Sequence, residues 1–205
     1  MRYPLRERRR IAALRRNRAE LSEILAFLEA AAEAGERFTP TSFDLSGLGP
    51  SLAGFPPLFP GHFPLDAAAA ARVFRTLLNA FVAATRSEPA ERALTELTGG
   101  RLDAVALAHA YCRADAEIFV EIAGPHGLDP ALLLNLTELA VKPQFIAAAR
   151  ALEKKGRTPS ERSDHCPACG SPADLAYIAD QQDAESVAVA VCRLCETEWP
   201  ITRIR

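Results

Sequence analysis

Two Cys-x-x-Cys pairs, Cys166/Cys169 and Cys192/Cys195, stand 22 residues apart near the C-terminus of this 205-residue chain. A tight Cys-x-x-Cys turn sets both sulfurs on one side of the backbone, and two such knuckles joined by a hairpin assemble four thiolates. The first knuckle, Cys166-Pro167-Ala168-Cys169-Gly170, has a proline that presets the turn and a glycine that accepts a left-handed backbone. The second, Cys192-Arg193-Leu194-Cys195-Glu196, lacks that glycine. Four sulfur ligands in a tetrahedron suit one zinc ion, with rubredoxin-like iron as the other metal this donor set accepts. A closed four-thiolate site leaves no position for a catalytic water, so the spacing points to a structural metal.

The competing readings of these cysteines are two disulfides, four free thiols, or a redox pair. A secreted disulfide scaffold would distribute cysteines along a short chain, whereas here only Cys112 lies outside the last forty residues. Thioredoxin-type chemistry calls for one isolated pair at a strand-to-helix turn. Around the knuckles, Leu175–Ala179, Ser186–Val191 and the Trp199–Ile204 stretch read as three short strands. Some forty residues of sheet bury too little apolar surface to fold alone, which makes a metal the natural staple.

Upstream the texture is helical. Alanine abounds, and Val, Ile and Thr are scarce until the C-terminus. Leu14, Leu21, Leu25 and Leu28, with Ile11 and Ile24 beside them, predict one amphipathic helix from Leu5 to Ala34, ended by Gly35. Six prolines between Phe38 and Pro64 predict an irregular excursion. Asp66 is the expected N-cap of the next helix, and Pro89 opens a short one that stops at Gly99-Gly100. Asp103 begins another through His109 and Phe119 to Gly124. Asp129-Pro130 starts the last, running to Lys155 and kinked or split at Pro143. The polar stretch 157–164 reads as a linker. The expected fold is therefore mainly α: a helical domain over 1–156, the linker, and an antiparallel β zinc ribbon of rubredoxin-like type over 165–205.

Charge is unevenly placed. Residues 1–18 hold eight arginines against Glu7, while the rest holds 16 basic and 25 acidic residues. Ile11–Leu14 is too short for the apolar segment of an export signal, and no run of some eighteen uninterrupted apolar residues appears, so the reading expects a cytoplasmic protein without membrane attachment. Between His165 and Arg205, three arginines face six acidic residues, a net −3 that disfavours phosphate and hence nucleic acid. A zinc-ribbon adaptor in a nucleic-acid or transcription-associated complex is the alternative function. Arg8, Arg9, Arg15 and Arg16 suit an acidic partner, since guanidinium grips carboxylates in bidentate fashion. In the proline-rich excursion, Phe55, Leu58 and Phe59 either fold over the helical core or form a partner-binding strip. His109 and Cys112, neighbours on one helical turn, lack an accompanying base or oxyanion donor and read as core residues.

The strings His165-Cys166-Pro167-Ala168-Cys169-Gly170-Ser171-Pro172 and Cys192-Arg193-Leu194-Cys195-Glu196-Thr197-Glu198-Trp199 resemble those of formate dehydrogenase accessory proteins of the FdhE type. Lys142-Pro143-Gln144-Phe145 is compatible with the same family. The resemblance implies a helical domain followed by rubredoxin-like knuckles, with Cys166, Cys169, Cys192 and Cys195 as metal ligands. It implies a non-catalytic cytoplasmic assembly factor that binds the catalytic subunit of a formate dehydrogenase-like enzyme during maturation. Family members typically continue into a second pair of knuckles. With one pair present, the expectation is a short form that holds one metal ion.

Overall fold

The computed structural model describes residues 11, 13–15, 17–40, 43–48, 56–155, 164–179 and 187–201. Their chain contacts divide into two compact units. The first comprises Met1–Thr39 and Leu65–Pro143, the second Pro40–Pro64 and Gln144–Arg205. The chain thus enters the second unit twice. The linker expected at 157–164 lies outside the described residues, except for Asp164.

Among the described residues, the helices with defined bounds in the first unit are α1 (Ser22–Phe38), α2 (Ala67–Thr85), α3 (Glu88–Thr98), α4 (Ala104–Cys112) and α5 (Ala116–Ala123). The sixth, α6 (Pro130–Lys154), begins there and ends in the second unit. Helix α2 is central, with α1, α3 and α4 packed on it. Its Asp66 N-cap accepts from the Ala69 N–H at 2.9 Å, as the sequence predicts. Phe74, Leu77 and Leu78 of α2 are buried together with Phe27, Leu107, Phe119 and Leu133. The Phe27 ring meets Phe81 edge-on, with centroids 4.9 Å apart. By length and composition α2 passes as a membrane span, which the sequence reading did not anticipate. Arg72 and Arg75 interrupt it, and its Val73, Phe74, Leu77 and Leu78 face are consumed by the helical core.

Four sequence expectations are corrected here. The single helix from Leu5 to Ala34 is broken: helical backbone at residues 13–15 and 17 gives way at Arg18, and a 3₁₀ turn at Ala19–Leu21 precedes α1. That break shifts the helical phase, so apolar spacing counted across it does not mark one face. Ile11 and Leu25 are buried, but Leu14, Leu21, Ile24 and Leu28 are exposed, and Phe27 takes the inward position. Second, α1 runs through Gly35 to Phe38. Pro40 stops it by forcing Thr39 into extended backbone (φ −68°, ψ 116°), and the Thr39 N–H and hydroxyl both donate to the Gly35 carbonyl. Third, the helix expected from Asp103 to Gly124 is two. Ala114 turns left-handed (φ 55°), and Asp115 restarts α5 by accepting from the Ile118 N–H. Fourth, of the two outcomes expected at Pro143 the split does not occur: α6 is one helix through that residue, although the division between the units falls there.

In the second unit, the described residues of the excursion, 43–48 and 56–64, are irregular as expected, with 3₁₀ turns at Leu45–Gly47 and Pro60–His62. Phe63 stacks on Phe145 with centroids 3.9 Å apart and on Phe43 at 5.3 Å, an aromatic ladder from excursion to helix. Three antiparallel strands complete this unit in the order β1 (Ala173–Ala179), β2 (Val187–Cys192) and β3 (Glu198–Ile201). Trp199 is buried opposite Ala190. The fold is mainly helical with one small sheet, as the sequence predicts.

Candidate metal centre

Each knuckle is built by its own backbone. In the first, the Gly170 N–H donates to the Cys166 carbonyl at 2.8 Å, and the Cys166 N–H donates to the Ser171 carbonyl at 2.9 Å. Gly170 closes the turn at φ +81°, the left-handed region where a side chain would be strained. In the second knuckle the Cys192 N–H donates to the Thr197 carbonyl at 2.9 Å. Glu196 holds the position matching Gly170 and takes the left-handed backbone all the same, at φ 58°. The missing glycine therefore does not alter the turn.

The sheet register brings the knuckles together. Ala173 pairs with Cys192, so the start of β1 and the end of β2 set the two turns side by side. All four sulfurs are buried and lie within 4.8 Å of one another. Cys166 Sγ is 3.5 Å from Cys195 Sγ, and Cys169 Sγ is 3.4 Å from Cys192 Sγ. These are free cysteines, far from disulfide separation. A tetrahedron with metal–sulfur bonds of about 2.3 Å has sulfur–sulfur edges of about 3.8 Å, which the observed separations bracket. The cluster can hold a metal ion. Its second layer is also present: the Leu194 and Cys195 N–H groups both donate to Cys192 Sγ at 3.4 Å, and the Thr197 hydroxyl lies 3.1 Å from Cys195 Sγ. Sulfur–sulfur hydrogen bonding and burial hold the Cys169 and Cys195 thiols well above the ordinary value, while hydrogen bonds from the other three lower Cys166. Four such sulfurs become thiolates together only when a cation compensates them.

The excursion covers the first knuckle. The Leu58 N–H donates to the Ala168 carbonyl at 2.8 Å, and Leu58 is wholly buried. A Cβ on Gly170 would stand 3.3 Å from Pro56 Cγ and 3.9 Å from Phe59 Cδ2. Phe59, expected in the partner strip, is half-buried here, with its ring centroid 5.9 Å from that of His62. Phe55, Arg8, Arg9 and Arg16 lie outside the residues whose side chains are described. Arg15 is exposed and paired with Glu29 at 2.8 Å. Thr197 was not among the expected site residues, and Leu58, expected on the helical core or in a partner strip, instead supports the knuckle. The threonine two residues past a ligand was a readable signal, whereas nothing local links Leu58 to a knuckle more than a hundred residues away. Cys112 stays apart, with burial raising its thiol to about 11.

Comparison with known proteins agrees with this architecture. Residues 165–203 match the family described as FdhE, central domain. A protein FdhE homolog of Pseudomonas putida is 27% identical over 84 residues, covering 41% of this chain and 26% of that protein. The match thus spans about a quarter of the curated relative's length. The crystal structure of the FdhE protein from Pseudomonas aeruginosa shares the fold, with a TM-score of 0.60 at 20% identity over 98% of this chain and 67% of that one. Residues 165–203 are thus similar to the FdhE central domain, and the chain shares its fold with a solved FdhE protein.

Proposed function

We propose that the protein is a non-catalytic accessory factor that assists maturation of a formate dehydrogenase-like enzyme by binding its catalytic subunit in the cytoplasm. The match of residues 165–203 to the FdhE central domain carries this reading. Cys166, Cys169, Cys192 and Cys195 would hold one zinc ion, the default for four thiolates, with iron the competing occupant. The closed donor set supports a structural role, since four protein sulfurs leave no ligand position for substrate. The N-terminal arginines, Arg8, Arg9, Arg15 and Arg16, together with Phe55 and Phe59, are the proposed partner-facing residues. The ribbon's acidic balance supports a protein client over nucleic acid.

Affinity capture from cells that make a molybdenum- or tungsten-dependent formate dehydrogenase tests the reading. Its catalytic subunit is expected to co-purify with the wild-type chain, and repeated failure to recover it overturns the assignment. Native mass spectrometry of the same material is expected to show one metal equivalent per chain and to report its mass.

A further inference from the structure

The first unit has an open cleft of about 480 Å³ between α2 and the segment that links α3 to α4. Arg72 and Arg75 form one wall. They stand three residues apart on α2 and so project from neighbouring positions of one helix face. Leu97, Leu102 and Val105 line the other: Val105 is exposed, whereas Leu97 and Leu102 belong to the buried core and form the floor behind it.

The charges of the two walls do not cancel. Elsewhere on this unit Arg92 pairs with Glu88 at 2.7 Å, and Arg101 grips Glu96 through two hydrogen bonds of 2.7 and 2.8 Å. The Arg72 and Arg75 guanidinium groups have no hydrogen-bond or ion-pair partner among the described residues. Asp103 lies at the rim, but its carboxylate is engaged as the N-cap of α4, accepting from Val105 and Ala106 N–H groups at 2.8 and 3.2 Å. Two cations therefore face a half-apolar groove whose one acid is already committed.

We propose that this cleft docks an acidic peptide segment of a partner protein, with a carboxylate held by Arg72 and Arg75 and a flanking aliphatic side chain against Val105 and Ala71. Planar guanidinium groups take carboxylates in bidentate fashion, which fixes orientation as well as charge. A bare inorganic anion would leave the apolar wall unused. A nucleic-acid strand would need an aromatic platform for its bases, and no aromatic side chain lines the groove. The size suits a few residues of extended chain. The proposal rests on the reading that the protein binds a client, and it assigns part of that binding to a place.

Titration of the full-length, metal-loaded protein with a short labelled peptide of alternating glutamate and leucine tests it, followed by amide NMR shifts. Shifts are expected at Ala71, Gly100, Leu102 and Val105. Arg72→Gln with Arg75→Gln is expected to weaken binding by about tenfold or more, and the Arg72→Lys with Arg75→Lys pair to fall between it and wild type, keeping the charge but not the bidentate grip. Melting temperatures should be unchanged, because neither guanidinium bonds to any other described residue. Equal binding by the glutamine pair, equal binding of a peptide with lysine for glutamate, displacement by a thymidine oligonucleotide, or shifts confined elsewhere would each overturn the cleft assignment. Undiminished capture of a formate dehydrogenase catalytic subunit by the glutamine pair likewise removes the cleft and leaves the client reading standing. A wild-type chain that binds the peptide at the cleft but captures no such subunit removes the client reading alone.

Discussion

The backbone N–H of Leu58 donates to the carbonyl of Ala168, 2.8 Å away, and joins the proline-rich excursion to the turn that carries Cys166 and Cys169. The Leu58 side chain has no exposed surface, and Pro56 and Phe59 lie against the Gly170 end of the same turn. The metal centre is therefore supported by residues from outside the ribbon.

Leu58→Ala is expected to destabilise the second unit by about 2–5 kcal/mol, the usual cost of an emptied leucine site. Denaturant unfolding of the metal-loaded protein measures this. Release of metal to a chromogenic chelator should be faster in the variant. An unchanged release rate with unchanged stability would show that the excursion does not support the knuckle.

Gly170→Ala places a Cβ where the backbone has φ +81° and where Pro56 Cγ is 3.3 Å away. The left-handed penalty alone is about 1–2 kcal/mol. A lower midpoint of ribbon unfolding with little change in the helical transition is the expected result, read by tryptophan fluorescence because Trp199 is buried in the sheet.

Cys192→Ala removes a ligand that also accepts the Leu194 and Cys195 N–H groups. The variant is expected to lose stoichiometric metal and to gain hydrogen exchange mainly over residues 164–201, with the first unit still protected. Chelation of the wild-type protein should reproduce that pattern, since a sheet this small depends on its staple. Full metal occupancy in Cys192→Ala would refute the ligand assignment.

Glu96 supplies a test of pH dependence. The Arg101 guanidinium, hydrogen-bonded to it, holds its carboxyl below the ordinary 4.5, with His126 Nδ1 a further 3.0 Å neighbour. A carboxyl lowered in the folded state contributes stability that is present above the unfolded value and is lost as pH falls through the folded one. Thermal melts of Glu96→Gln should therefore show a shallower decline than wild type below about pH 4.5. Parallel declines would mean the pair does not contribute.

The independence of the ribbon from the helices is a separate question for proteolysis. We propose that the breaker-rich 157–164 stretch is a linker, and limited digestion of the metal-loaded protein is expected to cut there first. Earlier cleavage inside α6 would count against that boundary.

Local chemistry was legible in the order of the residues. Asp66, Asp103 and Asp129 each accept a backbone N–H at the helix start expected of them, because a cap requires only the next two or three residues. Cys-x-x-Cys likewise determines its own turn, and the hairpin between the pairs determines that the turns meet. The formation of a four-sulfur cluster follows from those short-range facts. Tertiary structure alone decided which face of α1 is buried, because the turn at Ala19–Leu21 resets the helical phase and the fit of Phe27 against Phe81 selects the inward side. It also decided what the excursion is for. Leu58 reaches Ala168 through packing across some 110 intervening residues, and nothing in the sequence near either of them encodes a hydrogen bond closed by the fold around it.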